Sequence, residues 1–98
     1  MAEIRVTPQQ LKDKASDLEG FNRQFRAEVE KMVGYEQQLA AMWEGDAQRA
    51  FHKAFSDDKA KMDRFAQNID QYIAALREDA QRYETAENAA SNIATTRK

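Results

Sequence analysis

The stretch Met42-Trp43-Glu44-Gly45-Asp46 lies near the middle of the chain and decides its fold, because about forty residues with a helical pattern lie on each side of it. Gly45 is one of three glycines, and glycine adopts a positive φ at little steric cost, as a helix end before a chain reversal requires. Asp46 can accept a hydrogen bond from a free backbone N–H in the first turn of a following helix. The stretch therefore predicts a helix end, a tight turn over residues 43–45 and a second helix.

Upstream of the turn, the sequence predicts one helix over residues 8–42. Thr7 can cap this helix, Pro8 fits its first position and Gln10 completes a capping box. A wholly apolar set then recurs every seven residues: Leu11, Leu18, Phe25, Met32 and Leu39. A mixed set follows each of these by four residues: Ala15, Asn22, Val29, Glu36 and Trp43. This spacing is typical of a helix that packs in a bundle.

Downstream of the turn, the second helix is predicted over about residues 46–86. Apolar side chains again recur every seven residues: Phe55, Met62, Ile69, Leu76, Tyr83 and Ala90. Four more broaden that stripe: Phe51, Phe65, Tyr72 and Ile73. Large apolar residues are no longer regularly spaced after Tyr83, so we predict a flexible tail over residues 88–98, and a short arm over residues 1–6.

These elements predict an all-α protein with a single domain over residues 1–98, whose protomer is a hairpin of two antiparallel helices. A thin hairpin buries only the side of each helix that faces its mate, yet each helix carries a wider apolar stripe. Exposed apolar surface is unfavourable by ~25 cal/mol per Å², so we expect two hairpins to dimerise into an antiparallel four-helix bundle. The residues expected to pack in the core or the dimer are Leu11, Leu18, Phe25, Met32, Leu39, Phe55, Met62, Phe65, Ile69 and Leu76.

The composition argues against several classes of function. A net charge of −2 and a pI near 5.4 give no basic field for nucleic acid, or for an anionic membrane surface at neutral pH. The absence of cysteine excludes disulfides, thiolate catalysis and cysteine-based zinc sites. His52 is the only histidine, and without ligand partners at suitable spacing we interpret it as a polar residue on a helix face. We predict no enzyme activity, cofactor, metal or small-molecule substrate.

A hairpin of about a hundred residues with Trp-x-Gly at its bend resembles the WXG-motif family, the Esx-type, early-secreted-antigen-like substrates of bacterial type VII secretion. The motif here is Trp43-Glu44-Gly45, and the resemblance covers nearly the whole chain. The family's C-terminal export signal, Tyr-x-x-x-Asp/Glu, is matched by Tyr83-Glu84-Thr85-Ala86-Glu87. The longer form of that signal continues with apolar residues three and seven positions past the acid, and here Ala90 and Ala94 depart from it.

The resemblance implies export as a folded dimer, by a signal-peptide-independent route through a membrane machine with an ATPase. The sequence agrees, since its N-terminus lacks a basic start and an apolar core; without the resemblance, that feature would predict a soluble cytoplasmic protein. The resemblance also implies that the bend of one subunit lies beside the C-terminal tail of the other. Trp43, Gly45, Tyr83 and Glu87 would then form one recognition surface across the dimer.

Three further points stay open in the sequence. Because the chain carries both motifs, a homodimer is favoured over a heterodimer with another WXG-type protein. The alternative to a secreted substrate is a non-secreted helical scaffold, adaptor or partner-chaperone, whose bend and stripes serve only assembly. Membrane disruption by an opened dimer is a third hypothesis, suggested by the amphipathic helices, and the acidic balance argues against it at neutral pH.

Overall fold

The computed structural model describes residues 6–96 and the side chains of residues 6–90. Two helices fill this range, α1 (Pro8–Met42) and α2 (Asp46–Thr96), with three residues between them. They pack side by side as an antiparallel hairpin with extents of 81 × 23 × 20 Å. The predicted all-α helical hairpin is confirmed. The predicted arm lies outside the described residues up to residue 5, as do the last two residues of the predicted tail.

The start of α1 is fixed by the capping box that the sequence predicted. The Gln10 backbone N–H donates to Thr7 Oγ1 at 3.1 Å, and the Thr7 backbone N–H donates to Gln10 Oε1 at 3.0 Å. Pro8 occupies the first turn, where its missing N–H leaves no helical bond unmade. Two backbone groups that would otherwise lack partners are thereby satisfied.

The second helix is longer than we predicted from the sequence. α2 continues to Thr96, ten residues beyond the expected end near residue 86. Residues 88–96 contain no glycine or proline and include three alanines, so no residue in this stretch breaks the helix. Lys12 pairs with Glu84 near the open end of the hairpin. At 1.5 Å per residue, α2 therefore extends past the start of α1 by roughly 12 Å.

Small and medium side chains fill the contact between the two helices, which we call the seam. Its buried members are Ala15, Asn22, Val29 and Glu36 of α1 and Ala66, Ile69, Ile73 and Ala80 of α2. Ala15, Ile69 and Ile73 form the central cluster, against which Leu18 and Leu76 pack. The α1 members belong to the mixed seven-residue set. The wholly apolar set lies to one side of the seam.

Large apolar side chains line one side of the hairpin, which we call the apolar face. Most of its members expose 40% or more of their surface: Phe21, Met32, Tyr35, Leu39, Phe51, Phe65 and Tyr72. Half-buried Phe25 belongs to the same face, because its ring lies 6.3 Å from Phe21 and 5.3 Å from Phe65 between centroids. Of the ten residues predicted to pack in the core or the dimer, Ile69 alone is buried within the protomer.

The opposite side of the hairpin carries ion pairs between the helices. Arg26 pairs with Asp70 at 2.7 Å, and Arg77 pairs with Glu19 at 3.1 Å. Helical periodicity places these groups on the side away from the apolar face, which we call the polar side. Each pair is partly exposed and therefore screened by water and salt, so the pairs orient the helices more than they stabilise the fold.

Candidate recognition site

The bend between the helices depends on one glycine. Trp43 follows α1 with an extended backbone, at φ −136° and ψ 121°, and Gly45 has a φ of +116°. Residues with a Cβ rarely adopt that φ, which is the reason for glycine at this position. The Gly45 carbonyl then accepts the first backbone hydrogen bond of α2, from Arg49 N at 3.1 Å. The positive φ predicted at Gly45 is confirmed.

Asp46 acts differently from the prediction. It is the first residue of α2, and its carboxylate accepts a hydrogen bond from the Arg49 guanidinium in the first turn. The sequence predicts instead that the carboxylate accepts from a free backbone N–H. Its negative charge still favours the start of α2, because it lies at the positive end of the helix dipole.

Trp43 is partly packed and partly open. Its ring lies 5.7 Å from the ring of Phe51 in α2, at an angle of 49°, and 37% of the residue is exposed. The neighbouring Met42 is 77% exposed. The indole therefore holds the end of α1 against the first turns of α2 and also offers an apolar surface at the tip of the hairpin.

Tyr83 and Glu87 lie near the other end of the molecule, on α2. Four residues apart on a helix, they share one side of it. Tyr83 is 51% exposed and Glu87 is exposed. Ala90, at the next position of the longer export signal, is also exposed, whereas the side chain of Ala94 lies outside the described residues.

The four candidate residues form two pairs, which lie at different ends of the hairpin. Trp43 and Gly45 meet at the bend, while Tyr83 and Glu87 meet near the open end. Tyr83 follows Asp46 by 37 residues within α2, which corresponds to about 56 Å along the helix. One chain therefore does not present both pairs on one surface.

Asn22, a polar member of the mixed set, is a buried amide in the structure. It is 2% exposed, and its Nδ2 donates to the Ala66 carbonyl at 2.9 Å and to Asp70 Oδ1 at 2.8 Å. Both partners can only accept, which fixes the orientation of the amide. Asn22 Oδ1 is buried without a partner among the described residues. Leaving such an atom unpaired costs about 1–3 kcal/mol.

Asp70 links this buried amide to the polar side. Arg26 donates to both of its oxygens, at 3.3 and 2.7 Å. The hydrogen bond and charge of Arg26, with a smaller contribution from Asn22, hold the pKa of Asp70 below its usual range. The same hydrogen bond raises the pKa of Arg26. A carboxylate that stays ionised therefore holds Asn22 in place.

Glu36 is the second buried polar group of the seam, at 6% exposure. Its Oε1 lies 2.5 Å from Nδ1 of His52, across the seam. His52 is exposed on a helix face, as we interpreted it, but its ring also reaches this buried carboxylate. Glu36 borders a shallow groove on the apolar face, whose other lining residues are Met32, Tyr35, Leu39, Phe51 and Phe55.

Sequence reasoning missed both seam contacts. The available indication was spacing, since Asn22 and Glu36 fall fourteen residues apart in one register and so share one side of α1. The seven-residue pattern places them in the mixed set without indicating a partner, and in the structure both contact α2. Among the described residues, no three histidine, aspartate or glutamate side chains are grouped to hold a metal ion. Within the same range, no helix combines the length and apolarity of a membrane span.

The architecture defines a small all-α hairpin protein that turns at a Trp-x-Gly bend. The family model described as "Proteins of 100 residues with WXG" matches residues 3–88. The chain therefore belongs to the WXG100 family. No curated protein sequence matches it at a significant level.

Solved structures with the same fold include the secreted protein EsxB of Bacillus anthracis str. Sterne. Its selenomethionine form is 22% identical, with a TM-score of 0.77 over 89% of this chain and 99% of that chain. A wild-type crystal form is 23% identical, with a TM-score of 0.76 over 86% and 97%. This likeness extends over nearly the full length of EsxB and establishes that the two proteins share the hairpin fold.

Proposed function

We propose that this protein is a small substrate of a bacterial type VII (ESX-like) secretion system, exported as a folded homodimer and acting through protein–protein contacts. The observation that carries the proposal is the separation of the two motif pairs. Trp43 and Tyr83 are both partly exposed, yet about 56 Å of helix lies between them. A recognition surface that contains both residues therefore needs a second chain. Membership of the WXG100 family is the reason why we interpret that surface as a secretion signal.

The exposed area of the hairpin supports dimerisation. The accessible surface is 7929 Å², whereas a compact monomer of this mass would expose about 5,700 Å². The excess is roughly 2,200 Å² per chain, or about 4,400 Å² for two chains, which is of the size that permanent homodimer interfaces bury. Much of the exposed apolar surface lies on the apolar face, and proteins of this family typically form dimers.

A second copy of the chain fits the apolar face. The face is formed by aromatic and aliphatic side chains, and the net charge of −2 gives little repulsion between two copies. In an antiparallel pair, the bend of each copy lies beside Tyr83 and Glu87 of the other. The dimer then has two complete recognition surfaces, and the secretion ATPase is the partner that we propose for them.

Light scattering on the protein purified alone tests the homodimer. We expect one helical species with about twice the 11.3 kDa mass of the chain. A monomer at all accessible concentrations would contradict the homodimer. In that case a different WXG-type partner would be sought by co-purification from the native host.

Export is tested with an epitope-tagged protein in a host with an active type VII system. We expect the wild type in the medium without a lysis marker, and the variants Trp43→Ala, Tyr83→Ala and Glu87→Ala in the cell pellet. Matched controls are Met42→Ala beside the tryptophan and Glu78→Ala on α2, since both residues are exposed and lie outside the motifs. Circular dichroism and light scattering on each variant separate loss of recognition from loss of fold.

The two outcomes of the export experiment separate the proposal from its alternative. If wild-type protein stays in the pellet while a known substrate of the same system is exported, the protein acts inside the cell as a scaffold, adaptor or partner-chaperone. If all variants are exported as well as the wild type, the two motif pairs have no role in recognition.

A further inference from the structure

Two sides of α1 compete for contact with α2. The wholly apolar set and the mixed set are four residues apart in sequence, which places them about 40° apart around the helix. Transfer of apolar surface out of water favours the set with the larger side chains, such as Leu18, Phe25 and Met32. The structure instead turns the mixed set, with Asn22 and Glu36, most deeply into the seam.

Each of the two polar groups finds its partner on α2 only in this rotation of α1. Asn22 donates to the Ala66 carbonyl at 2.9 Å, and Glu36 lies 2.5 Å from the ring nitrogen of His52. A rotation of about 40° toward the apolar set would separate both pairs and move the two polar groups toward the polar side, with loss of their hydrogen bonds to α2. The contacts therefore select one rotation of α1 over a competing one.

The bend does not make this selection. Its three residues hold the two helices in register along their length, because so short a connection cannot accommodate a shift of one or two turns. Rotation of a helix about its own axis needs much less movement at the bend.

We infer that Asn22 and Glu36 set the rotation of α1 about its own axis and thereby keep the apolar face free for a second chain. The part that concerns the second chain rests on the proposed dimer. Buried polar groups that fix one arrangement at the expense of stability are known from helical assemblies. In this hairpin they decide which side of α1 is used within the chain and which side is left for association.

The variant Asn22→Leu/Glu36→Leu makes the mixed set wholly apolar. Asp70 keeps Arg26 as its partner, and His52 is exposed, so neither is left buried and unpaired. We expect a protein that is as helical and at least as resistant to urea as the wild type. We also expect it to separate into several oligomeric species in light scattering. One dimeric species like that of the wild type would overturn the inference.

The matched control is Gln67→Leu/Gln37→Leu, which adds two leucines at exposed positions that do not adjoin members of the apolar face. We expect it to behave as the wild type, so that added apolarity alone is not the cause. Glu36→Gln keeps a hydrogen-bonding group opposite His52 and is expected to retain one dimeric species even if the double leucine variant does not fold. Several species for Glu36→Gln, or for the exposed control, would contradict the inference.

A distance measurement tests the rotation directly and does not require a dimer. Because the chain has no cysteine, spin labels can be attached through Ser16→Cys and Gln81→Cys, two residues that line the same groove on the polar side. Diluted with unlabelled protein, the wild type should give one narrow distance distribution, and the double leucine variant a broadened or shifted one. Identical distributions would overturn the inference. A wild-type monomer would contradict only the proposed dimer.

Discussion

The seam and the apolar face are two neighbouring strips of the same hairpin. If apolarity alone decided which side chains are buried within the chain, the large rings of the apolar face would lie in the seam and the small and polar side chains would be exposed. The seam is buried and built from alanines, a few branched residues, an amide and a carboxylate. The apolar face is open and carries rings such as Phe21, Phe65 and Tyr72. The side chains of the seam are buried against their partners, whereas no residue that the structure describes covers the apolar face.

This difference shows that burial within a protomer and burial within an assembly follow different requirements. Small side chains allow two long helices to approach closely along the seam, and Ala15 and Ala80 are fully buried there. Large rings need a broader partner surface, such as a second pair of helices provides.

One charged substitution on the apolar face should weaken the dimer strongly. Phe65→Lys replaces a ring that contacts Phe25 by an ammonium group, which would be buried against the second chain. We expect the dimer to weaken by about 4 kcal/mol, or roughly 1,000-fold in dissociation constant. Sedimentation equilibrium measures the change. Gln67→Lys, at an exposed position two residues away, should leave the dissociation constant nearly unchanged. Equal dimerisation of both variants would mean that association uses another surface.

Removing side-chain volume from the seam should lower the free energy of unfolding. Ile73→Ala empties part of the central cluster, where Ile73 is 6% exposed, and should lower the free energy of unfolding by about 3 kcal/mol. Urea unfolding followed by circular dichroism measures it. Gln71→Ala on the exposed side of the same helix should change it by less than about 0.5 kcal/mol. A loss below about 1 kcal/mol for Ile73→Ala would show that the seam contributes little to stability.

The bend joins the two helices that carry both strips, and Gly45→Ala tests its geometry. At a φ of +116° the added Cβ is strained although no other atom lies within 4 Å, so we expect a loss of about 1–2 kcal/mol in unfolding free energy. Gly20→Ala is the matched control inside α1, where the space is also open. It should raise stability by about 0.5–1 kcal/mol through better helix propensity. The same sign for both changes would contradict this account of the bend.

The hairpin, the limits of α1 and the bend could be predicted from sequence because each depends on local chemistry. The capping box at Thr7 and Gln10 and the positive φ of Gly45 need only residues within a few positions. The extension of α2 to Thr96 is not predicted by apolar spacing, because residues 88–96 lack regularly spaced large apolar side chains. Alanine-rich sequence without breakers forms helix without an apolar stripe.

The arrangement of the seam could not be predicted in the same way. Asn22 is stabilised by a carbonyl 44 residues away and Glu36 by a ring 16 residues away, and neither partner is marked by a motif. Seven-residue periodicity identifies which residues share a side of a helix, but it does not say which side faces the mate. The motif residues Trp43 and Tyr83 were found by resemblance, and their shared recognition surface stays a prediction.

Asp70 joins the seam to the polar side, and its titration gives the smallest predicted effect. Because Arg26 and Asn22 lower the pKa of Asp70 in the folded protein, the ionised carboxylate stabilises the fold at pH values above its ordinary pKa of about 3.9. That contribution is lost as the pH falls through the lowered folded value.

Asp70→Asn should therefore be less stable than the wild type in urea at pH 7 and at pH 5. The gap should narrow once the pH falls below that ordinary pKa, and close when the pH lies below the lowered folded pKa, where both side chains are neutral. Asp79→Asn, at an exposed position on the same helix, should show a much smaller gap at every pH. If the gap for Asp70→Asn were the same at pH 7 and pH 3, the shape of the side chain, rather than its charge, would hold Asn22 in the seam.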